Sequence, residues 1–247
     1  MKSAFFFSLV LMFGAAPAVA QKVTTTEGQV WLGYFNQTRL SQRWGLWLEG
    51  QVRTREDYFS KISAVLPRAG LTYYLNDHAK LTAGYAYLPE IEGFSTPEHR
   101  PWQQLQWHTS YPRLRLMQWV RLEERFRKKA VTLQPGEDKY SFNYRARYNF
   151  LLNTPLGARA FEPGTVSLVV NDEVMLNFGK EIVQNTFDQN RLFLGFHYHI
   201  NRHNTLQFGY LNVFQQLPAG NRYRYLNVAR IGYFQNLDLR RRKAATP

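Results

Sequence analysis

The sequence predicts an all-β fold, an antiparallel transmembrane β-barrel of 10–12 strands, and three observations carry that reading. Apolar and polar residues alternate with period two through long segments, as they do on a strand with two different faces. Each segment has the roughly 9–11 residues, or somewhat more, that a tilted strand needs to cross a bilayer. The connections alternate between short turns and longer polar stretches, the pattern of a barrel with tight turns at one end and loops at the other.

Residues 1–20 come first and read as a secretory signal peptide. Lys2 supplies the positive start, Ala4 to Phe13 the apolar run, and Ala18-Val19-Ala20 a small-x-small cleavage site before Gln21. The barrel is expected over residues 21–235, followed by a basic tail at 236–247 that contains Arg240-Arg241-Arg242-Lys243. Of the +13 formal charge, removal of the leader takes one Lys and no acid, leaving +12. The chain has no Cys, which excludes disulfide scaffolds, thiolate metal sites and cysteine nucleophiles.

The clearest strand is 139–152. Tyr140, Phe142, Tyr144, Ala146, Tyr148, Phe150 and Leu152 alternate with Lys139, Ser141, Asn143, Arg145, Arg147 and Asn149. Residues 113–126 set Leu114, Leu116, Val120, Leu122 and Phe126 against Arg113, Arg115, Arg121, Glu123 and Arg125. Residues 190–200 set Leu192, Leu194, Phe196, Tyr198 and Ile200 against Arg191, Gly195, His197 and His199. Less regular runs cover 29–37, 42–54, 62–75, 79–88, 99–111, 165–177, 204–214 and 222–235. Asn76-Asp77, Pro112 and Asn201 to Asn204 mark short turns. The stretches 89–98, 128–138, 178–188 and 218–222 are the longer connections.

A soluble β-sandwich would bury the apolar face, but its strands usually run about 5–6 residues. Tyr and Trp near the ends of these longer runs (Trp31, Trp44, Trp102, Tyr111, Tyr140, Tyr210, Tyr223, Tyr233) suit the aromatic girdles of a membrane barrel. The runs number eleven, whereas bacterial single-chain barrels have even counts. A further strand within Lys22 to Gly28 would give twelve, the favoured count, and an incomplete first run would give ten.

The ordered segments Glu98-His99-Arg100-Pro101-Trp102-Gln103-Gln104, Arg121-Leu122-Glu123-Glu124-Arg125-Phe126, Asn143-Tyr144-Arg145-Ala146-Arg147, Asn171-Asp172-Glu173 and Phe187-Asp188-Gln189-Asn190-Arg191 resemble a bacterial family. That family is catalogued as domain of unknown function 2490. The resemblance spans almost the whole mature chain and implies an exported barrel of the bacterial outer membrane, without implying a reaction. Its motif residues include Glu98, Arg100 and Asn190.

Projecting the polar face inward collects Arg100, Arg113, Arg115, Arg121, Arg125, Arg145, Arg147 and Arg191 with Glu49, Glu98, Glu123 and Glu173. Arg121 and Arg125 on either side of Glu123 would form a ladder of guanidinium–carboxylate pairs. Such a network fills and stiffens a lumen, and its surplus of Arg favours anions. The function expected is therefore that of a porin-like outer-membrane barrel, either a narrow anion-preferring pore or a plugged structural barrel. The alternative is a barrel-embedded lipid-modifying enzyme.

That alternative would use His108 and Ser110, which share a face, with an acid such as Glu98, but no nucleophile motif accompanies them. His197 and His199, with His99 or His108, could hold a metal only with a further ligand and a second shell. No catalytic residue, metal or cofactor is assigned. The expected partners are outer-membrane lipids, lipopolysaccharide and small anionic solutes; nucleic acid is not expected for an exported chain whose Arg are spread over many strands.

Overall fold

The computed structural model describes residues 22–55, 58, 61–91, 95–129 and 139–240. The expected leader and Arg241-Arg242-Lys243 lie outside them. The described chain forms eleven strands: β1 (Val23–Arg39), β2 (Trp44–Arg55), β3 (Lys61–Tyr74), β4 (Ala79–Leu88), β5 (Glu98–Tyr111), β6 (Leu114–Lys128), β7 (Tyr140–Pro155), β8 (Val166–Phe178), β9 (Phe187–His199), β10 (Asn204–Gln216) and β11 (Arg222–Asp238). Each pairs with its chain neighbours, and β1 pairs with β11 to close the barrel.

The closing pair is parallel, and every other pair is antiparallel. This resolves the odd count. Eleven lies within the expected range, but the preference for twelve does not hold: residues 23–28 are the first part of β1 itself. An odd ring of consecutive strands must close with two strands running the same way. Parallel pairing is slightly weaker per residue; here it runs the full 17 residues from Val23↔Arg222 to Arg39↔Asp238. β2 pairs only with residues 31–39 of β1, and the Thr54 hydroxyl accepts from the Val30 amide at 3.0 Å where the ladder stops. β11 also runs on to Asp238, into the segment expected as tail.

One end carries the connections 56–60, 89–97, 129–139, 179–186 and 217–221, and is called the loop end here. The other, the turn end, carries 40–43, 75–78, 112–113, 156–165 and 200–203. Two of its turns are fixed by asparagine side chains. Asn76 Oδ1 accepts from the amides of His78 and Ala79 at 2.8 and 2.7 Å, and Asn201 Oδ1 from those of His203 and Asn204 at 2.9 Å each. The longer 156–165 connection contains Phe161 at φ 59°, whose ring lies 3.8 Å from the Arg115 guanidinium.

Period two sorts the side chains. Leu32, Leu46, Leu71, Leu81, Leu192, Leu194 and Ile231 are exposed on the outer wall. Exposed aromatics stand near both rims: Trp44, Tyr111 and Tyr198 at the turn end, Tyr85, Tyr140 and Phe178 at the loop end. Inside, two apolar clusters occupy separate walls. One joins Trp31, Val169, Phe193, Leu211, Val213, Leu226 and Val228; the other joins Trp47, Leu66, Ala86 and Trp102.

Each cluster rests on a pair of facing glycines. Gly70 lies opposite Gly84, and a Cβ on either would come within 3.1 or 2.8 Å of the Trp102 ring. Gly195 lies opposite Gly209, where a Cβ would meet the Phe193 ring at 2.5 or 3.0 Å. Large rings fill the lumen because the wall beneath them has no side chains.

Candidate functional site

Between the two apolar clusters stands a layer of paired charge, centred on Glu123 of β6. Its side chain is completely buried. Arg145 donates from Nε and Nη2 to its Oε2 at 2.9 and 2.6 Å, and Arg147 from Nη1 to its Oε1 at 2.5 Å. Arg68, Arg121 and Arg100 approach at 3.5, 3.7 and 3.8 Å. Buried carboxylates persist as ions only with such partners.

The partners correct the expected ladder. Residues at i and i+2 on one strand are roughly 6.5 Å apart along it, whereas directly opposed residues are about 4.5–5.5 Å apart. Glu123 faces Arg145 across the β6–β7 pair, so it bonds chiefly across strands. Arg121 turns away to donate to Gln104 Oε1 at 2.8 and 2.5 Å, with its guanidinium over Trp102 and Trp119. Arg125 donates to both oxygens of Glu98, at 2.6 and 3.0 Å.

The remaining acids extend the layer. Arg68 Nη1 donates to both oxygens of Glu49, at 2.9 and 2.8 Å. Arg100 donates to Glu98 at 2.9 Å, Arg147 Nε to Glu173 at 2.6 Å, and Arg145 Nη1 to Asp188 at 2.8 Å. Arg191 reaches Glu173 at 3.7 Å and lies over the Trp31 ring.

Three of the residues read from sequence stand elsewhere. Arg113 is in the turn between β5 and β6 and donates to the carbonyl oxygen of Gly157 at 2.8 Å. Arg115 is exposed near the turn end and stacks on Phe161. Asn190 faces outward and donates to Asp172 Oδ1 at 2.8 Å. Conversely, Asp188 and Arg68 belong to the layer although parity did not nominate them. A bulge opposite Met175/Leu176 turns both Asp188 and Gln189 inward. Arg68 lies in a run whose alternation is blurred by Pro67 and Gly70.

The charged layer divides the lumen into two chambers that share Trp31, Gln51, Arg68, Arg147 and Arg191 as lining. The loop-end chamber, about 310 Å³, is lined by Arg53, Arg100, Arg125, Arg127, Arg191 and Arg224, with Glu98 and Asp188. Arg53 donates to Gln51 at 3.2 Å and stacks on Trp31 at 3.8 Å; Arg127 donates to Asn143 at 2.5 Å. Neither guanidinium has a carboxylate within 4.0 Å among the described residues, and the Nε of each is buried without a partner.

The turn-end chamber, about 450 Å³, contrasts with it. Gln106, His108, Asn149, Asn153, His197 and Gln207 line it beside Phe35, Trp119 and Phe234. Gln106 Nε2 and His108 Nε2 are 2.8 Å apart. Ser110 shares the inward face with His108, but no bond joins the two among the described residues. The expected histidine grouping is divided by parity: His108 and His197 face the lumen, while His99 faces outward against Tyr85, Tyr87 and Tyr140. His199 Nε2 lies 2.9 Å from Ser167 Oγ. Among the described residues, no group of three or more His, Asp or Glu is placed to hold a metal ion.

Comparison with known proteins adds a family to this geometry. A search of curated proteins gives no match. Among solved structures, the chain is similar to one described as "NanC porin structure in rhombohedral crystal form". The identity is 13% and the TM-score 0.46, over 75% of this chain and 87% of that one. The profile of a family described as "Protein of unknown function (DUF2490)" matches residues 28–224. The chain belongs to that family.

Proposed function

We propose that this member of the DUF2490 family is an outer-membrane barrel that admits small anions at its loop end and passes them through a narrow, charge-paired constriction. The location is supported by the closed ring, its apolar outer wall and its two aromatic rims, together with the leader read from sequence. Its immediate partners would be outer-membrane lipids and lipopolysaccharide phosphates.

The observation that carries the anion preference is the surplus of arginine over acid among the described residues of the loop-end chamber, where Arg53 and Arg127 hold no described carboxylate. A low-dielectric wall focuses such a surplus into a positive potential that concentrates anions. The chambers abut across one layer of side chains, so that layer sets the resistance to passage.

Bilayer conductance of the refolded mature protein tests this reading. The expected result is a small conductance whose reversal potential under a salt gradient has the sign of anion preference. Cation preference, or electrical silence in both the wild type and Glu123→Gln, rejects it. Location is checked separately by membrane fractionation and heat-modifiable gel migration; recovery as a soluble periplasmic monomer rejects the barrel in a membrane.

A further inference from the structure

The turn-end chamber carries a second chemistry. Asn149 Oδ1, Asn153 Oδ1 and Gln207 Oε1 are buried without a hydrogen-bond partner among the described residues. Their residues are only 3%, 6% and 1% exposed, and all three line this one cavity. A buried amide without a partner keeps its desolvation cost uncompensated, so three in one chamber call for an occupant that hydrogen-bonds.

His197 sharpens what the occupant must offer. The Asn153 amide nitrogen lies 3.2 Å from its Nδ1, and that of Gln207 lies 2.9 Å from its Nε2. A neutral imidazole has one N–H and one lone pair. It therefore accepts from one amide group and donates to the oxygen of the other, which turns that second amide's NH₂ toward the cavity. The chamber then presents both acceptors and a donor. Hydroxyl groups, which donate and accept, match this mixture where a carboxylate or an ammonium does not.

The walls supply flat apolar faces. Phe35 and Phe234 stack at 4.6 Å with their planes 9° apart, and Trp119 is on the wall. The chamber's two outlying cations are engaged with rings, Arg115 on Phe161 and Arg230 over Phe193 and Phe35. The volume of about 450 Å³ falls among small-molecule sites, roughly 300–1,000 Å³.

From these features we infer that the turn-end chamber is a binding site for a neutral sugar ring, held by its hydroxyls on Asn149, Asn153 and Gln207 and by its C–H face on the aromatic wall. The site is independent of the anion reading, which concerns the other chamber.

The test uses the full mature protein in a detergent without a sugar headgroup, titrated with glucose and followed by tryptophan fluorescence and calorimetry. Inorganic phosphate serves as the probe of the loop-end chamber. Glucose should give a saturable response in the wild type. Asn149→Leu removes an amide whose oxygen has no partner, so unfolding without sugar should occur at an unchanged or higher temperature while glucose affinity falls at least tenfold. The phosphate response should not change in that variant, and Gln207→Leu should weaken glucose to a similar degree. No saturable response to glucose in the wild type means the orphaned amides hold water only and overturns the site. So does undiminished binding in Asn149→Leu, or binding of glucuronate with none of glucose. A flat phosphate titration with intact glucose binding fails the anion reading alone.

Discussion

The two halves of the lumen, built from the same strands, differ in kind. Along β5 from loop end to turn end the inward residues are Glu98, Arg100, Trp102, Gln104, Gln106, His108 and Ser110. Along β7 they are Asn143, Arg145, Arg147, Asn149, Leu151 and Asn153, and β9 passes from Asp188 and Arg191 through Phe193 to His197 and His199. On these three strands the charged inward residues lie in the loop half, and the turn half carries mostly uncharged polar groups. Parity makes a residue face inward, but height along the strand decides which chemistry it joins. A solute entering from the loops would meet an electrostatic field first and directional hydrogen bonds second.

The strongest way to break this contrast is to dissolve the layer between the halves. Glu123→Gln would leave several guanidinium groups without their shared carboxylate. Removing one partner of a buried pair costs about 3–5 kcal/mol, so the variant should unfold at a clearly lower temperature. Glu124→Gln is the control: Glu124 faces outward, with Gln103 at 3.5 Å, and should change stability by no more than about 0.5 kcal/mol. Equal stability of the two variants would show that the layer does not hold the barrel together. If the barrel conducts, Glu123→Gln should also raise anion preference.

A smaller effect is expected from filling a glycine floor. A Cβ at position 84 would lie 2.2 Å from the Ala69 carbonyl oxygen and 2.8 Å from the Trp102 ring. Gly84→Ala should therefore cost about 1–3 kcal/mol, the range for overpacking, read as loss of thermal stability. An unchanged melting curve would mean that Trp102 can move aside without cost.

Charge in the loop half can be lowered with less damage. Arg53 has no carboxylate partner among the described residues, so Arg53→Gln should alter stability by about 1 kcal/mol or less while moving the reversal potential toward zero. Retention of full anion preference would remove Arg53 from the proposed field.

The smallest change belongs to a site in neither chamber. In the turn 75–78, Asp77 accepts from Arg39 Nη1 at 2.6 Å, and this bond together with the nearby positive charge holds its carboxyl below the usual carboxylate range. The stability from a depressed carboxyl is present above its unfolded pKa of about 3.9 and is lost as pH falls through the lower folded value. Asp77→Asn should thus produce only a slight, salt-sensitive fall in melting temperature at neutral pH and none in strong acid. A large fall independent of pH would point to the turn backbone instead of the charge.

Much of the wall was legible from alternation alone, because a barrel strand shows its two faces in consecutive residues. The inward placement of Arg121, Glu123, Arg125, Arg145 and Arg147 follows from that pattern. Which carboxylate each Arg would meet does not, since cross-strand register is a property of two segments and not of one. Asp188 was hidden by a bulge that breaks parity, and Arg113 was misplaced because its strand begins one residue later, at Leu114. The strand count was visible as eleven runs, but parallel closure leaves no mark within either β1 or β11. The orphaned amides of the turn-end chamber had no sequence signal at all, because Asn and Gln are ordinary on any polar face.

The parallel seam also bears on the order of assembly. Ten of the eleven pairings join strands that follow one another in the chain, so each can zip as soon as its second strand is made. The pairing of β1 with β11 instead joins the first strand to the last, and contacts so distant in sequence pay their loop-closure entropy before they are rewarded. Until β11 exists, the early part of β1 lacks its main partner and presents an open edge. Ring closure is therefore a single late event, set apart in time from the hairpin-by-hairpin growth that precedes it.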